Sequence, residues 1–243
     1  MQNFPNKHTN MKSNVQKAII VGAISIVFIS YPAKLSYSLS LLIDPGHSPK
    51  SIGTTACSGR PEYVYNTNLT IMIADYLRKN GITVSLTKTP DSEISLIKRC
   101  AISKEKDLFL SIHHDSVQPQ FITYQSNGGF CSWKAEGFSI FISRKNHYYS
   151  KSLSYARKLG SALVKKGLQP SLHHAEKIKG EGRILLDPEL GIYLYDDLIV
   201  LKNAESPAVL LEAAVIVNPK DEARAATGKY QSLIAEAVKE MVD

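Results

Sequence analysis

The alternation of apolar and polar positions divides this chain into short strands separated by helices. Residues 39–43 (LSLLI) form an apolar run that stops at Asp44-Pro45-Gly46, the pattern of a buried strand feeding a loop. Over 66–80, Leu69, Ile71, Met72, Ile73, Ala74, Tyr76 and Leu77 recur at helical spacing, and Gly81 follows as a stop. Residues 82–86 predict a second strand, and 92–103 predict a helix capped by Asp91 or Ser92. Residues 108–112 (LFLSI) predict a third strand and 138–142 (FSIFI) a fourth. An amphipathic helix over 150–166, a strand over 208–215 (AVLLEAAV) and a terminal helix over 221–242 complete the pattern. Strands alternating with helices predict a single α/β domain over 39–243, with a twisted, mostly parallel sheet flanked by helices. Ligands of such sheets gather beyond the carboxyl ends of the strands. Two long connections, 116–136 and 167–206, interrupt the alternation, and an extra strand fits within 190–202.

The N-terminal pattern is different. Lys12 and Lys17 precede thirteen uncharged apolar and small residues, 18–30 (AIIVGAISIVFIS). That layout predicts a signal peptide over 1–38, the apolar run being short for a bilayer span. An uncleaved anchor is the alternative, because Tyr31-Pro32 is a poor cleavage context; only then would the protein sit at a membrane. This segment also changes the meaning of the net charge of +7, from 29 Lys+Arg against 22 Asp+Glu. No acidic residue precedes Asp44, whereas Lys7, Lys12, Lys17 and Lys34 do; without those four the balance is 25 against 22, or +3. The basic excess is therefore mostly terminal, and no nucleic-acid partner is expected. Cys57, Cys100 and Cys131 make an odd count for an exported protein. One disulfide with a free thiol, or none, is compatible with them.

The candidate chemistry falls where strands end. His47 follows the first strand in Asp44-Pro45-Gly46-His47. His113 ends the third in Ser111-Ile112-His113. Glu62 opens a helix, and Glu212 interrupts the apolar run Val209-Leu210-Leu211-Glu212-Ala213-Ala214-Val215. Two imidazoles and a carboxylate are a common catalytic zinc set, and a further carboxylate can shuttle the proton that hydrolysis needs. Singly, His47 also reads as a loop histidine, and Glu62 as a first-turn carboxylate favoured by the helix dipole. Glu212 resists a bland reading, since a carboxylate among Val, Leu and Ala is costly to bury unless paired or functional. His113 and His114 are adjacent on a strand and point to opposite faces, so one of them at most reaches the site.

Four blocks in this order resemble the zinc-dependent N-acetylmuramoyl-L-alanine amidases of the amidase-3 type. They are Asp44-Pro45-Gly46-His47, the Glu62…Asn66 helix start, Ser111-Ile112-His113 and Pro207-Ala208-Val209-Leu210-Leu211-Glu212. The family patterns are D-x-G-H-G-G, a Glu before an Asn, S-I-H-A-[ND] and P-x-[VI]-L-[VL]-E. The resemblance implies one zinc ion per chain on His47, Glu62 and His113, with Glu212 as catalytic carboxylate. It further implies a sheet of about six strands and hydrolysis of the amide between N-acetylmuramic acid and L-alanine in peptidoglycan. Ser48-Pro49 departs from the usual Gly-Gly, and His114-Asp115 from Ala-Asn.

Trp133, in the first connection, is a candidate for stacking on substrate or for pinning the loop. The second connection is expected to gate the cleft, to dock a protein activator or to be a solvated excursion. His173-His174-Ala175-Glu176 lacks H-E-x-x-H spacing and is not read as a second metal centre. Two other functional classes stay open: a peptidoglycan-binding domain without catalysis, and a cell-wall peptidase using Cys57 or Cys100. The expected location is outside the cytoplasm, in the periplasm in the absence of a wall-binding repeat, otherwise secreted or cell-wall associated.

Overall fold

In the computed structural model, residues 1–3, 39–89 and 92–243 are described. The expected signal segment, and Asp91 as a helix cap, lie outside the described residues.

The strands are β1 (Ser40–Pro45), β2 (Thr83–Leu86), β3 (Leu108–Asp115), β4 (Thr123–Tyr124), β5 (Phe130–Cys131), β6 (Ser139–Ile142), β7 (Ile184–Asp187), β8 (Ile192–Leu194) and β9 (Ala208–Val215). The helices are α1 (Glu62–Lys79), α2 (Leu96–Ile102), α3 (Tyr149–Lys165), α4 (Ile199–Lys202), α5 (Pro219–Ala225) and α6 (Gly228–Val242). Seven strands form one sheet in the order β2-β1-β3-β9-β6-β8-β7, and β4 with β5 makes a separate hairpin. The mostly parallel sheet is as expected: β1–β2, β1–β3, β3–β9 and β6–β8 are parallel, while β6–β9 and β7–β8 are antiparallel. Its strand number is seven rather than about six, because the 167–206 connection contributes both β7 and β8.

Strand alternation assigns the two faces. Leu41, Ile43, Leu108, Leu110, Ile112, Val209 and Leu211 point to one face, where Leu69, Ile73, Leu159, Leu163, Ile234 and Val238 of α1, α3 and α6 cover them. Leu42, Phe109, Leu210, Phe141 and Tyr193 point to the other, under Cys100 of α2 and Val200 and Leu201 of α4. The helical cover on this second face is short. It leaves the carboxyl ends of β1, β3 and β9 under loops.

Several element limits differ from the sequence pattern for local reasons. The helix after β1 starts at Glu62, as expected of that residue and four residues ahead of the apolar repeat over 66–80; Glu62 N–H donates to Thr54 C=O at 2.9 Å and anchors the first turn. α2 starts later than expected, where the Ser95 hydroxyl accepts from Lys98 N–H. β3 runs on to Asp115 because β9 offers partners as far as Val215. The single terminal helix is two: Asn218 caps α5, and Thr227 accepts from Tyr230 N–H to start α6.

Cys57 and Cys131, 74 residues apart, form a disulfide that ties the loop before α1 to β5, and Cys100 is a buried free thiol. A cross-link over such a loop stabilises by about 2–4 kcal/mol, mainly through the unfolded chain. The Cys57→Ser/Cys131→Ser double variant is therefore expected to melt on the order of 10 °C lower by calorimetry. An unchanged Tm would show that the cross-link does not constrain the unfolded chain.

Candidate active site

The loop leaving β1 is shaped to pass between two functional groups. Gly46 N–H donates to Ile112 C=O at 2.9 Å, pinning the loop to β3. A β-carbon at Gly46 would collide with the His113 imidazole, so glycine is required where the ring lies flat against the backbone. His47 then takes φ +61°, a left-handed conformation that a non-glycine residue rarely adopts and that clusters at functional sites. Its carbonyl accepts from Lys88 Nζ at 2.6 Å. Gly53, at φ +74°, passes so close to Glu62 and His47 that a side chain there would strike both. Asp44 is not a ligand candidate, because Thr87 Oγ1 at 2.6 Å, Ser111 Oγ at 3.0 Å and Arg99 at 3.5 Å occupy its carboxylate.

This path brings three of the predicted residues together. Glu62 Oε2 lies 3.2 Å from His47 Nε2, and Glu62 Oε1 lies 3.0 Å from His113 Nδ1. The three ligand atoms fall within 4.8 Å of one another, and the two imidazoles meet edge to face at 4.9 Å. Asn66 Nδ2 donates to Glu62 Oε1 at 2.9 Å, and the backbone N–H groups of Thr54 and His114 donate to the same carboxylate. Burial pushes the Glu62 carboxyl up, but the His113 hydrogen bond and the two imidazoles outweigh it and bring it down to about 2. Burial lowers His47, and His113 and Arg99 add to that against the pull of Glu62. A carboxylate kept ionised beside an imidazole kept neutral is the protonation state that metal coordination requires. The donor set of two imidazole nitrogens and one carboxylate fits a borderline divalent cation.

Glu212 sits opposite His113 in the β3–β9 register and opposite Ser139 across β6. Its Oε2 is buried without a hydrogen-bond partner among the described residues. Burial raises its carboxyl well above the usual range, and Asp115 and Glu62 push the same way. An orphaned, half-buried carboxylate next to a ligand cluster is poised to hold and release a proton. A cavity of about 300 Å³ lined by Asp44, His47, Ser51, Glu93, Arg99 and His113 opens beside the cluster.

The remaining candidates divide. His114 points away: its Nδ1 lies 2.8 Å from Asn66 Oδ1, and burial lowers its imidazole to about 4. Trp133 is exposed at 73% of its surface and does not pin the loop. Cys57 is disulfide-bonded and burial raises the Cys100 thiol to about 11, so neither offers a thiolate nucleophile. The sequence pattern missed a further cluster, in which Asp115 meets His173 and His174 across 57 or more residues of chain. The adjacent His173-His174 pair was visible, but its lack of H-E-x-x-H spacing set it aside, and nothing local links it to Asp115.

The amidase-3 family, described as N-acetylmuramoyl-L-alanine amidase, matches residues 41–243. The N-acetylmuramoyl-L-alanine amidase AmiA of Escherichia coli K12 is 27% identical over 219 residues, covering 83% of this chain and 74% of that protein. The probable cell wall amidase LytH of Staphylococcus saprophyticus is 27% identical over 203 residues, and this chain spans only 56% of its length while 83% of the chain is covered. Among solved structures, an N-acetylmuramoyl-L-alanine amidase from Clostridium difficile 630 superposes with a TM-score of 0.65 at 23% identity, over 85% of this chain and 96% of that one. With the match extending from β1 to the last helix, the chain belongs to the N-acetylmuramoyl-L-alanine amidase family of the amidase-3 type.

Proposed function

We propose that this protein hydrolyses the amide between the lactyl group of N-acetylmuramic acid and L-alanine in peptidoglycan, with zinc on His47, Glu62 and His113 and with Glu212 as the proton-transfer group. The observation that carries the reading is the Glu62 carboxylate shared between two imidazoles beside Glu212, whose Oε2 has no hydrogen-bond partner among the described residues. Family membership supplies the substrate class.

When bound, zinc supplies Lewis acidity, lowering the pKa of a water towards about 7 and drawing charge from the scissile carbonyl. Asn66 and the Thr54 and His114 N–H groups hold the Glu62 carboxylate in place while both of its oxygens face imidazoles. Gly46 and the strained His47 backbone fix the first imidazole, and Lys88 locks the His47 carbonyl. Glu212 accepts the proton of the attacking water and passes it to the alanine nitrogen as the C–N bond breaks. As a carboxylate it serves as base in the first transfer, and as the resulting acid it serves as donor in the second.

The lysine-bearing apolar segment at 1–38 supports export to the side of the membrane where peptidoglycan lies, the periplasm being the preferred compartment. The Cys57–Cys131 bond agrees with an oxidising location. Among the described residues no helix is long and apolar enough to cross a membrane.

Purified sacculi digested with the protein should yield free stem peptides beginning at L-alanine, detected by mass spectrometry, and a chelator should abolish them. Fragments cut within the peptide or the glycan would overturn the bond assignment, and no release at all would favour wall binding without catalysis. Glu212→Gln should retain fold and metal and lose turnover by roughly 10²–10⁴-fold. Near-normal rates in that variant would remove Glu212 from the mechanism. His47→Ala should lower bound zinc measured by elemental analysis, whereas unchanged content would take His47 off the ligand set.

A further inference from the structure

A second convergence of donor atoms lies on the same face of the sheet as His113. Asp115 is two residues further along β3, so the two side chains share that face. A 3-10 turn, His173–Ala175, carries two buried imidazoles to it from the 167–206 connection. His174 Nε2 lies 2.8 Å and His173 Nε2 3.5 Å from the same oxygen, Asp115 Oδ2. The three ligand atoms are within 4.8 Å of one another.

The far side of each ring is also held. His173 Nδ1 lies 2.9 Å from Ser171 Oγ, and His174 Nδ1 lies 3.0 Å from Glu181 Oε2. Glu181 is itself oriented by Gln118 Nε2, which donates to its other oxygen at 2.9 Å. Nδ1 engaged and Nε2 turned inward, with a carboxylate behind one imidazole, is the outer-shell arrangement that fixes ring orientation at metal centres. The Ser116 carbonyl oxygen, 3.2 Å from His173 Nε2, adds a further oxygen to the convergence.

A proton-linked cluster accounts for only part of this. One imidazolium between Asp115 and Glu181 explains His174. The second imidazole, its centroid 3.8 Å from the first, turns its Nε2 both to the same Asp115 oxygen and to the Ser116 carbonyl. The side chains of the cluster are 2–11% exposed, so its converging donor atoms are withheld from bulk water.

We propose that Asp115, His173 and His174 form a second metal site, for a borderline divalent cation of the zinc class, oriented by Glu181 and Ser171. Two nitrogens and one oxygen select such a cation over calcium or magnesium, which prefer all-oxygen sites. Its effect is to fasten the 167–206 connection to the end of β3, two residues beyond His113. The proposal does not depend on the reaction assigned to the first cluster.

The test is calorimetric titration of the metal-stripped full-length protein with Zn²⁺, with bound metal counted after dialysis. Wild type should take up two equivalents per chain. His173→Ala and His47→Ala should each take up one, with the remaining equivalent in different sites. Glu181→Gln keeps all three ligands and should weaken only one of two equivalents, by roughly 10–100-fold. This variant decides the matter if His173→Ala fails to fold. No Zn²⁺ uptake in His47→Ala, a stoichiometry that His173→Ala leaves unchanged, or unaltered affinity in Glu181→Gln would overturn the proposal and leave a cluster held by protons alone.

Discussion

The geometry of the site depends on one buried carboxylate. Glu62 is 4% exposed, and a charge in that position is tolerated only when its oxygens are fully engaged. Its partners come from separate parts of the chain: His47 and Thr54 from the loop after β1, Asn66 from its own helix, and His113 with the His114 N–H from β3. Satisfying all of them at once dictates the path of residues 46–54. The loop pays with a left-handed His47 and with glycines at 46 and 53, where no side chain fits. The same demand draws the start of α1 back to Glu62, ahead of the apolar repeat that defines the rest of that helix.

Much of the fold was legible because burial and strand period agree. In β9, Val209 and Leu211 face α1, α3 and α6 while Leu210 faces α2 and α4, so every position but Glu212 is apolar and its limits were read correctly as 208–215. Glu212 stood out against that background for the same reason. The short buried β8 falls within the extra strand expected over 190–202, whereas β7 was obscure because it alternates between exposed and half-buried positions at the sheet's edge. The break between α5 and α6 was hidden because helix-forming residues flank it on both sides, and Thr227-Gly228 is the local mark of the restart.

Candidate site residues divided along a similar line. His47, Glu62, His113 and Glu212 sit within order-preserving local blocks, each recognisable beside its own strand or helix. Which histidine of the adjacent pair turns to Glu62 follows from parity: His114 shares the face of Ile112 and Leu110, and so meets Asn66 under the sheet. Asp115, His173 and His174 follow no local spacing, because the register of β3 supplies one donor and a short turn far along the chain supplies two. Long-range convergence of that kind leaves no periodic trace in a sequence.

These facts bear on how the wall around the site is made. Apolar packing holds the sheet, but the segments bordering the carboxyl ends of β3 and β9 are held chiefly by polar and covalent links. Lys134 pairs with Glu176 across the two connections at 2.9 Å, and Lys220 with Glu136 at 3.1 Å. Cys57–Cys131 fixes the hairpin to the loop that leads into Glu62, and Gln118 reaches Glu181. A small apolar cluster of Val117, Ala135, Val215 and Val217 lies beneath them. Exposed ion pairs contribute little each, so the disulfide carries a disproportionate share of that wall's order. Disulfides form and persist in oxidising compartments, which makes the completed wall a property of the exported protein under the proposed localisation.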